Sequence, residues 1–114
     1  MIAVIFEVEP HADRASRYFE LAAAMRADLE RIDGFVSVER FESLTQRGKF
    51  LSLSFWRDEQ AVHAWRNQSG HRAGQQEGRD TVFAGYRIRV AEVLRDYGLH
   101  QRAQAPADSR TLLR

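Results

Sequence analysis

The stretch FVSVERFESLTQRGKFLSLSFWR, residues 35–57, decides the fold. From Phe35 to Ser43 the side chains alternate as a strand requires. Phe35, Ser37, Glu39 and Phe41 fall on one face, and Val36, Val38, Arg40 and Glu42 on the other. Thr45, Gln46, Arg47 and Gly48 supply a turn, with the glycine free to take a positive φ. Phe50 to Arg57 reads as the next strand. Leu51, Leu53 and Phe55 make its apolar face, and Phe50, Ser52, Ser54 and Trp56 point the opposite way. Two strands joined by a short polar turn predict an antiparallel hairpin.

On the N-terminal side of this hairpin, Met1 to Glu9 reads as a strand with Ile2, Val4, Phe6 and Val8 on one face, ended by Pro10. His11 to Arg31 reads as a helix. Tyr18, Ala22, Met25, Leu29 and Ile32 line one side of it, and Gly34 stops it. Asp13 is spaced to pair with Arg17. On the C-terminal side, Asp58 caps a second helix with Ala61, Val62, Ala64 and Trp65 on its apolar stripe. A break at residues 67–70 precedes a short helix, His71 to Glu77, for which Ser69 is the expected cap. Gly85 to Tyr97 reads as the last strand. The order strand, helix, strand, strand, helix, strand specifies an α+β, ferredoxin-like βαββαβ fold with a four-stranded antiparallel sheet. Residues 1–97 form that domain, and 98–114 form a C-terminal extension expected to lie on a partner subunit.

At 114 residues the chain has the length of one domain. Its net charge of +1 argues against a nucleic-acid or membrane-surface role driven by bulk charge. It contains no cysteine, which excludes disulfides, thiolate catalysis and Cys-zinc sites. No apolar run approaches the ~20 residues needed to span a bilayer, and the N-terminus lacks a basic leader pattern, so a cytoplasmic location is expected. Seven Phe, three Tyr and two Trp are a heavy aromatic load for so small a domain. The sheet face carrying Phe50 and Trp56 is too apolar for solvent, which predicts a homodimer with its sheets packed face to face.

Gly34 and Phe35 open the second strand, and Leu51-Ser-Leu-Ser-Phe-Trp56 forms the third. Trp65 follows an acidic cap, and His71 to Arg79 precede a Tyr-containing last strand. Together, over residues 1–97, these resemble the antibiotic biosynthesis monooxygenase family. The resemblance implies a dimeric α+β barrel. One branch of the family is similar to cofactor-independent monooxygenases, which help a phenolic or quinol-type substrate lose a proton so that the carbanion reacts directly with O₂. Another branch degrades haem with an Asn on the first strand, a Trp and a His. Trp65 matches that Trp. The Asn would fall near Phe6 or Glu7, and the His at Gln75, with His71 too early. Haem is therefore disfavoured, and no cofactor is expected. A non-catalytic dimer that binds a small ligand or serves a stress response is the alternative reading.

Five residues are the candidates for a site. His71, at the start of its short helix, is expected to accept or orient a substrate proton. Trp65 would be both core residue and pocket wall. Arg79 would contact a substrate anion or pair locally with Glu77 or Asp80. Tyr86 and Tyr18 would line the pocket with phenols. Glu7 would be a base only if desolvated. Arg87 and Arg89 are expected to reach carboxylates such as Glu39 or Glu7 across a dimer interface. The four His lack metal-site spacing, so no metal is expected.

Overall fold

The computed structural model describes residues 1–112. Strand β1 spans Ile2–Pro10, and a 3-10 turn, Ala12–Arg14, leads into helix α1, Ala15–Glu30. β2 (Phe35–Glu42) and β3 (Phe50–Trp56) form the hairpin. α2 (Glu59–Arg66) and α3 (Ser69–Glu77) follow, then a π-helical turn, Gly78–Val82. The chain continues through β4 (Phe83–Glu92) to a short helix, α4 (Ala107–Leu112). The sheet is antiparallel, in the order β2-β3-β1-β4. This is the expected four-stranded ferredoxin-like α+β fold.

Register assigns the two faces. Ile2 lies opposite Trp56, Val4 opposite Ser54, Phe6 opposite Ser52 and Val8 opposite Phe50. On the other side of β1, Val4, Phe6 and Val8 face Val90, Ile88 and Tyr86. Cross-strand partners share a face, so Phe50 and Trp56 lie with Val8 and Ile2. That face is the one beneath the helices. Trp56 is fully buried against Leu29 and Ala61, and the Phe50 ring meets Phe19 edge-on at 4.9 Å. The sequence reading placed Phe50 and Trp56 on the uncovered face, and this is corrected. Both sets of alternating residues in β3 are apolar enough for burial, so period two alone could not choose between them. The uncovered face instead carries Ala3, Ile5, Leu51, Leu53 and Phe55.

Four local expectations also change. Arg17 pairs with Glu77 and Glu20, not with Asp13. Arg89 reaches Glu7 within the same chain, 3.3 Å away, and Lys49 approaches the same carboxylate at 3.9 Å. Glu7 is therefore an ion-pair residue of the uncovered face. The last strand ends at Glu92, five residues before Tyr97. The segment beyond it has its own contacts. The Arg102 guanidinium lies 5.3 Å from the Tyr97 ring and donates to the Gly98 and Ser109 carbonyls, and Ala105 is buried.

Two glycines have the conformations their turns require. Gly34 (φ +91°) and Gly48 (φ +84°) are left-handed. Gly34 also lets β2 pass close to α2, since a Cβ there would lie 2.8 Å from the Ala61 Cβ.

The core falls into two clusters. One gathers Ile2, Leu29, Trp56 and Ala61, with Trp65 and Val62 packed on it. The other gathers Val8, Tyr18 and Val82 beneath Phe6, Phe50 and Phe83. Small residues lie in the layer between them: Ala22 on α1, Ser52 and Ser54 on β3, and Gly74 on α3. At Gly74 the missing side chain is filled by α1, since a Cβ there would lie 2.9 Å from Met25 Sδ.

Candidate functional site

The gap between the clusters is a cavity of about 180 Å³. α1 contributes Tyr18, Leu21, Ala22 and Met25; the sheet contributes Val4, Phe6, Arg40, Ser52, Ser54 and Ile88; α2 and α3 contribute Trp65, His71, Gly74 and Gln75. Its walls are mainly apolar.

α3 sets the position of the imidazole. Gln68, not the expected Ser69, is the N-cap, and its Oε1 accepts the His71 backbone N–H at 2.7 Å. The far end of α3 is tied to α1. Arg17 Nη2 donates to Glu77 Oε1 at 2.8 Å, and Arg17 Nε donates to the other carboxylate oxygen. This two-pronged pair holds Glu77 below its ordinary carboxylate range. With α3 held so, the His71 ring lies 4.5 Å, centroid to centroid, from the Trp65 ring. Trp65 in turn stacks on Trp56 at 6.4 Å. Burial, reinforced by the Arg72 cation, pushes the His71 imidazolium down to about 4. The ring is thus neutral at physiological pH.

Three polar atoms on the cavity-lining residues are buried without a hydrogen-bond partner among the described residues: Tyr18 Oη, Arg40 Nε and His71 Nδ1. Buried polar groups are ordinarily satisfied, because leaving one unpaired costs about 1–3 kcal/mol. Unpaired groups around one cavity therefore point to a polar ligand atom or ordered water inside it. Arg40 Cζ also lies 6.0 Å from the Tyr18 ring centroid, so the cation and the phenol belong to one neighbourhood.

Of the five sequence candidates, Tyr18, Trp65 and His71 line this cavity. Arg79 and Tyr86 line an adjoining recess with Arg72, Gln75 and Gln76. Arg79 pairs with neither Glu77 nor Asp80: Arg17 holds Glu77, and Asp80 accepts from Gln76 at 2.8 Å. Sequence reasoning missed Arg40, Ser52 and Ser54. The available signals were a guanidinium on the Val38 face of β2 and two small hydroxyls in an otherwise bulky strand.

Among the described residues, no three His, Asp or Glu side chains converge in a way that could hold a metal ion. For haem, the notable features are that the cavity's one imidazole is packed on Trp65 with Nδ1 buried, and that Gln75 offers an amide where the haem branch has its His. No described helix is long and apolar enough to cross a membrane.

Comparison with known proteins gives a consistent result. The antibiotic biosynthesis monooxygenase family matches residues 1–77. The jasmonate monooxygenase ABM of Pyricularia oryzae is 43% identical over 93 residues, covering 82% of this chain. The chain spans only 43% of that protein's length. The uncharacterized protein YqjZ of Bacillus subtilis is 31% identical over 91 residues, covering 80% of this chain and 77% of its own length. In fold, a candidate antibiotic biosynthesis monooxygenase of Deinococcus radiodurans superposes with a TM-score of 0.77 at 18% identity, covering 86% of this chain and 97% of that one. Rv0793 of Mycobacterium tuberculosis does so at 0.76 and 21%, covering 85% and 98%. The chain belongs to the antibiotic biosynthesis monooxygenase family.

Proposed function

We propose that this protein is a monooxygenase that oxidises a small, largely apolar substrate of phenol, quinol or enolisable-ketone type, with electrons drawn from the substrate itself. The observation that carries the reading is the set of unpartnered buried polar atoms on Tyr18, Arg40 and His71 around one apolar cavity. Neutral His71 takes a proton from a C–H or O–H acidified by the substrate's ring or carbonyl. The resulting anion lies near the Arg40 guanidinium and the Tyr18 hydroxyl, which stabilise the charge that develops. The anion passes an electron to O₂, the two radicals combine to a peroxide, and loss of water leaves a carbonyl. For a methylene substrate the balance is R₂CH₂ + O₂ → R₂C=O + H₂O, with no external reductant.

A conjugate acid near pKa 4 makes His71 by itself a weak base. An adjacent substrate anion offsets this, because a charge of opposite sign stabilises the imidazolium. The weak basicity is also the one feature favouring a second reading, a ligand-binding protein without turnover. O₂ uptake with a panel of hydroquinones and anthrone-like phenols separates the two. Uptake with one carbonyl product formed per O₂ supports the enzyme; tight binding with no uptake overturns it.

The same reading includes a homodimer. Ile5, Leu51, Leu53 and Phe55 form an apolar belt on the uncovered sheet face, and Phe41, opposite Leu51, is 43% exposed. Two copies packed sheet to sheet would cover it. Sedimentation measures the mass: a monomer at micromolar concentration would overturn this part.

A further inference from the structure

α3 presents two adjoining faces. His71, Gly74 and Gln75 line the apolar cavity, while Arg72, Gln75 and Gln76 line the recess, with Arg79 following at the next helical repeat. Gln75 belongs to both spaces, as do Phe6, Phe83 and Ile88, so the cavity and the recess meet along a common wall. The recess is about as large as the cavity, at roughly 180 Å³, and far more polar.

Its cations lack counter-charges. Arg79 has no hydrogen-bond or ion-pair partner among the described residues. Among the described residues Arg72 engages only amide oxygens, Asn67 Oδ1 at 2.9 Å and Gln75 Oε1 at 3.4 Å. The acids nearest in sequence are engaged elsewhere, Glu77 by Arg17 and Asp80 by Gln76. Tyr86 adds a phenol, its ring set against Phe6 and Phe83 at 5.9 Å from each.

We infer that the recess is the anion subsite of the ligand site, and that the substrates are small amphipathic carboxylates. The carboxylate lies between Arg72 and Arg79, and the apolar body runs past Phe6 and Ile88 into the cavity beside His71. This rests on the proposed function and specifies its substrate class. A single exposed Arg is normally solvated and contributes little. Two without carboxylates, at the edge of an apolar chamber, hold a positive potential where an acid's charged end would emerge. The guanidinium fork matches a carboxylate in a way that a hydroxyl or ester cannot. Anchoring the acid also fixes which carbon reaches His71.

The test uses the full chain, with 4-phenylbutanoate and its methyl ester as probes and quenching of Trp fluorescence as the readout. Trp56 and Trp65 both line the cavity. The wild type is expected to bind the acid at least about tenfold more tightly than the ester, the worth of one hydrogen bond to a charged group. Arg72→Gln and Arg79→Gln should each shrink that ratio, and the double variant should abolish it. Arg79→Lys should restore part of it. Ester affinity should stay constant throughout, which also reports that the variants are folded. Equal binding of acid and ester by the wild type overturns the carboxylate subsite and leaves the cavity reading standing. An acid preference that survives in the double variant but is lost in Arg40→Gln overturns it as well, moving the anion into the cavity. If neither probe binds, the cavity reading fails together with the subsite.

Discussion

The His71 imidazole lies against the Trp65 indole, 4.5 Å between ring centroids and tilted by 45°, with its Nδ1 buried and unpaired. The indole excludes water from one side of the ring, and the Gln68 cap fixes the backbone that carries it. His71→Ala is therefore expected to lower O₂ uptake by roughly 10²–10⁴-fold, the usual range for a positioned base, with the fold intact by circular dichroism. With the base of the free protein neutral down to about pH 4, wild-type kcat/KM should show no inflection near 6.5 and fall only as the pH approaches 4. Wild-type uptake in His71→Ala would sink the assignment.

The same burial makes stability depend on pH. Unfolded, His71 takes up its proton near 6.5; folded, near 4. Between these values the unfolded chain binds more protons, so stability rises with pH. Its contribution is complete above about 6.5 and is lost as the pH falls toward 4, amounting to at most about 3 kcal/mol and reduced by the solvent that still reaches the ring. Urea titrations from pH 7 to 4.5 should show a falling midpoint in the wild type and a flatter line in His71→Gln. The lowered carboxylates Asp33, Asp58 and Glu77 lose their contribution at the acid end of that window and below it, equally in both proteins. Parallel lines for the two proteins would rule out a buried neutral ring.

What could be read in the sequence depended on how local the signal was. The hairpin, the α1 stripe Tyr18-Ala22-Met25-Leu29 and the Asp58 cap are short-range patterns, and each is present; Asp58 Oδ1 accepts the Ala61 N–H at 2.9 Å. The facing of β3 was not readable, because Phe50 and Trp56 on one side and Leu51, Leu53 and Phe55 on the other both look buried. The cap of α3 was misread because a serine beside a glutamine is the stronger capper by propensity. The cavity was least readable. Ala22, Ser52, Ser54 and Gly74 all line it, and those residues belong to three elements that meet only in the fold. His71 and Trp65 were each legible as candidates, though not their contact; Arg40 joins them only through the pairing of β2 with β3.

Two glycines separate backbone strain from crowding. Gly48→Ala places a Cβ in open space at φ +84° and pays only for the left-handed conformation, about 1 kcal/mol. Gly34→Ala has the same strain at φ +91° and also drives its Cβ to 2.8 Å from that of Ala61 and 3.3 Å from the Arg57 guanidinium. It should cost at least about 2 kcal/mol more, because the β2–α2 contact must open. Denaturant midpoints compare the two directly. Equal losses would show that the contact between these elements is softer than its geometry implies.

Tyr18 tests whether the unpaired atoms of the cavity exist for a ligand. Tyr18 is 4% exposed, and its hydroxyl has no hydrogen-bond partner among the described residues. Phenylalanine would keep the ring contacts with Phe19, Phe50 and Phe83 and remove the stranded oxygen. Losing an unsatisfied buried hydroxyl should leave stability unchanged or raise it by about 1 kcal/mol. If the hydroxyl stabilises a bound phenolate or enolate, Tyr18→Phe should weaken binding of a phenol probe by roughly tenfold, the worth of one hydrogen bond to a charged group. The probe's non-acidic methyl ether should bind as before. A more stable protein with poorer phenol binding is the signature of a group held for a ligand. A less stable protein with unchanged binding would mean that ordered water satisfies the hydroxyl and that the oxygen belongs to the core.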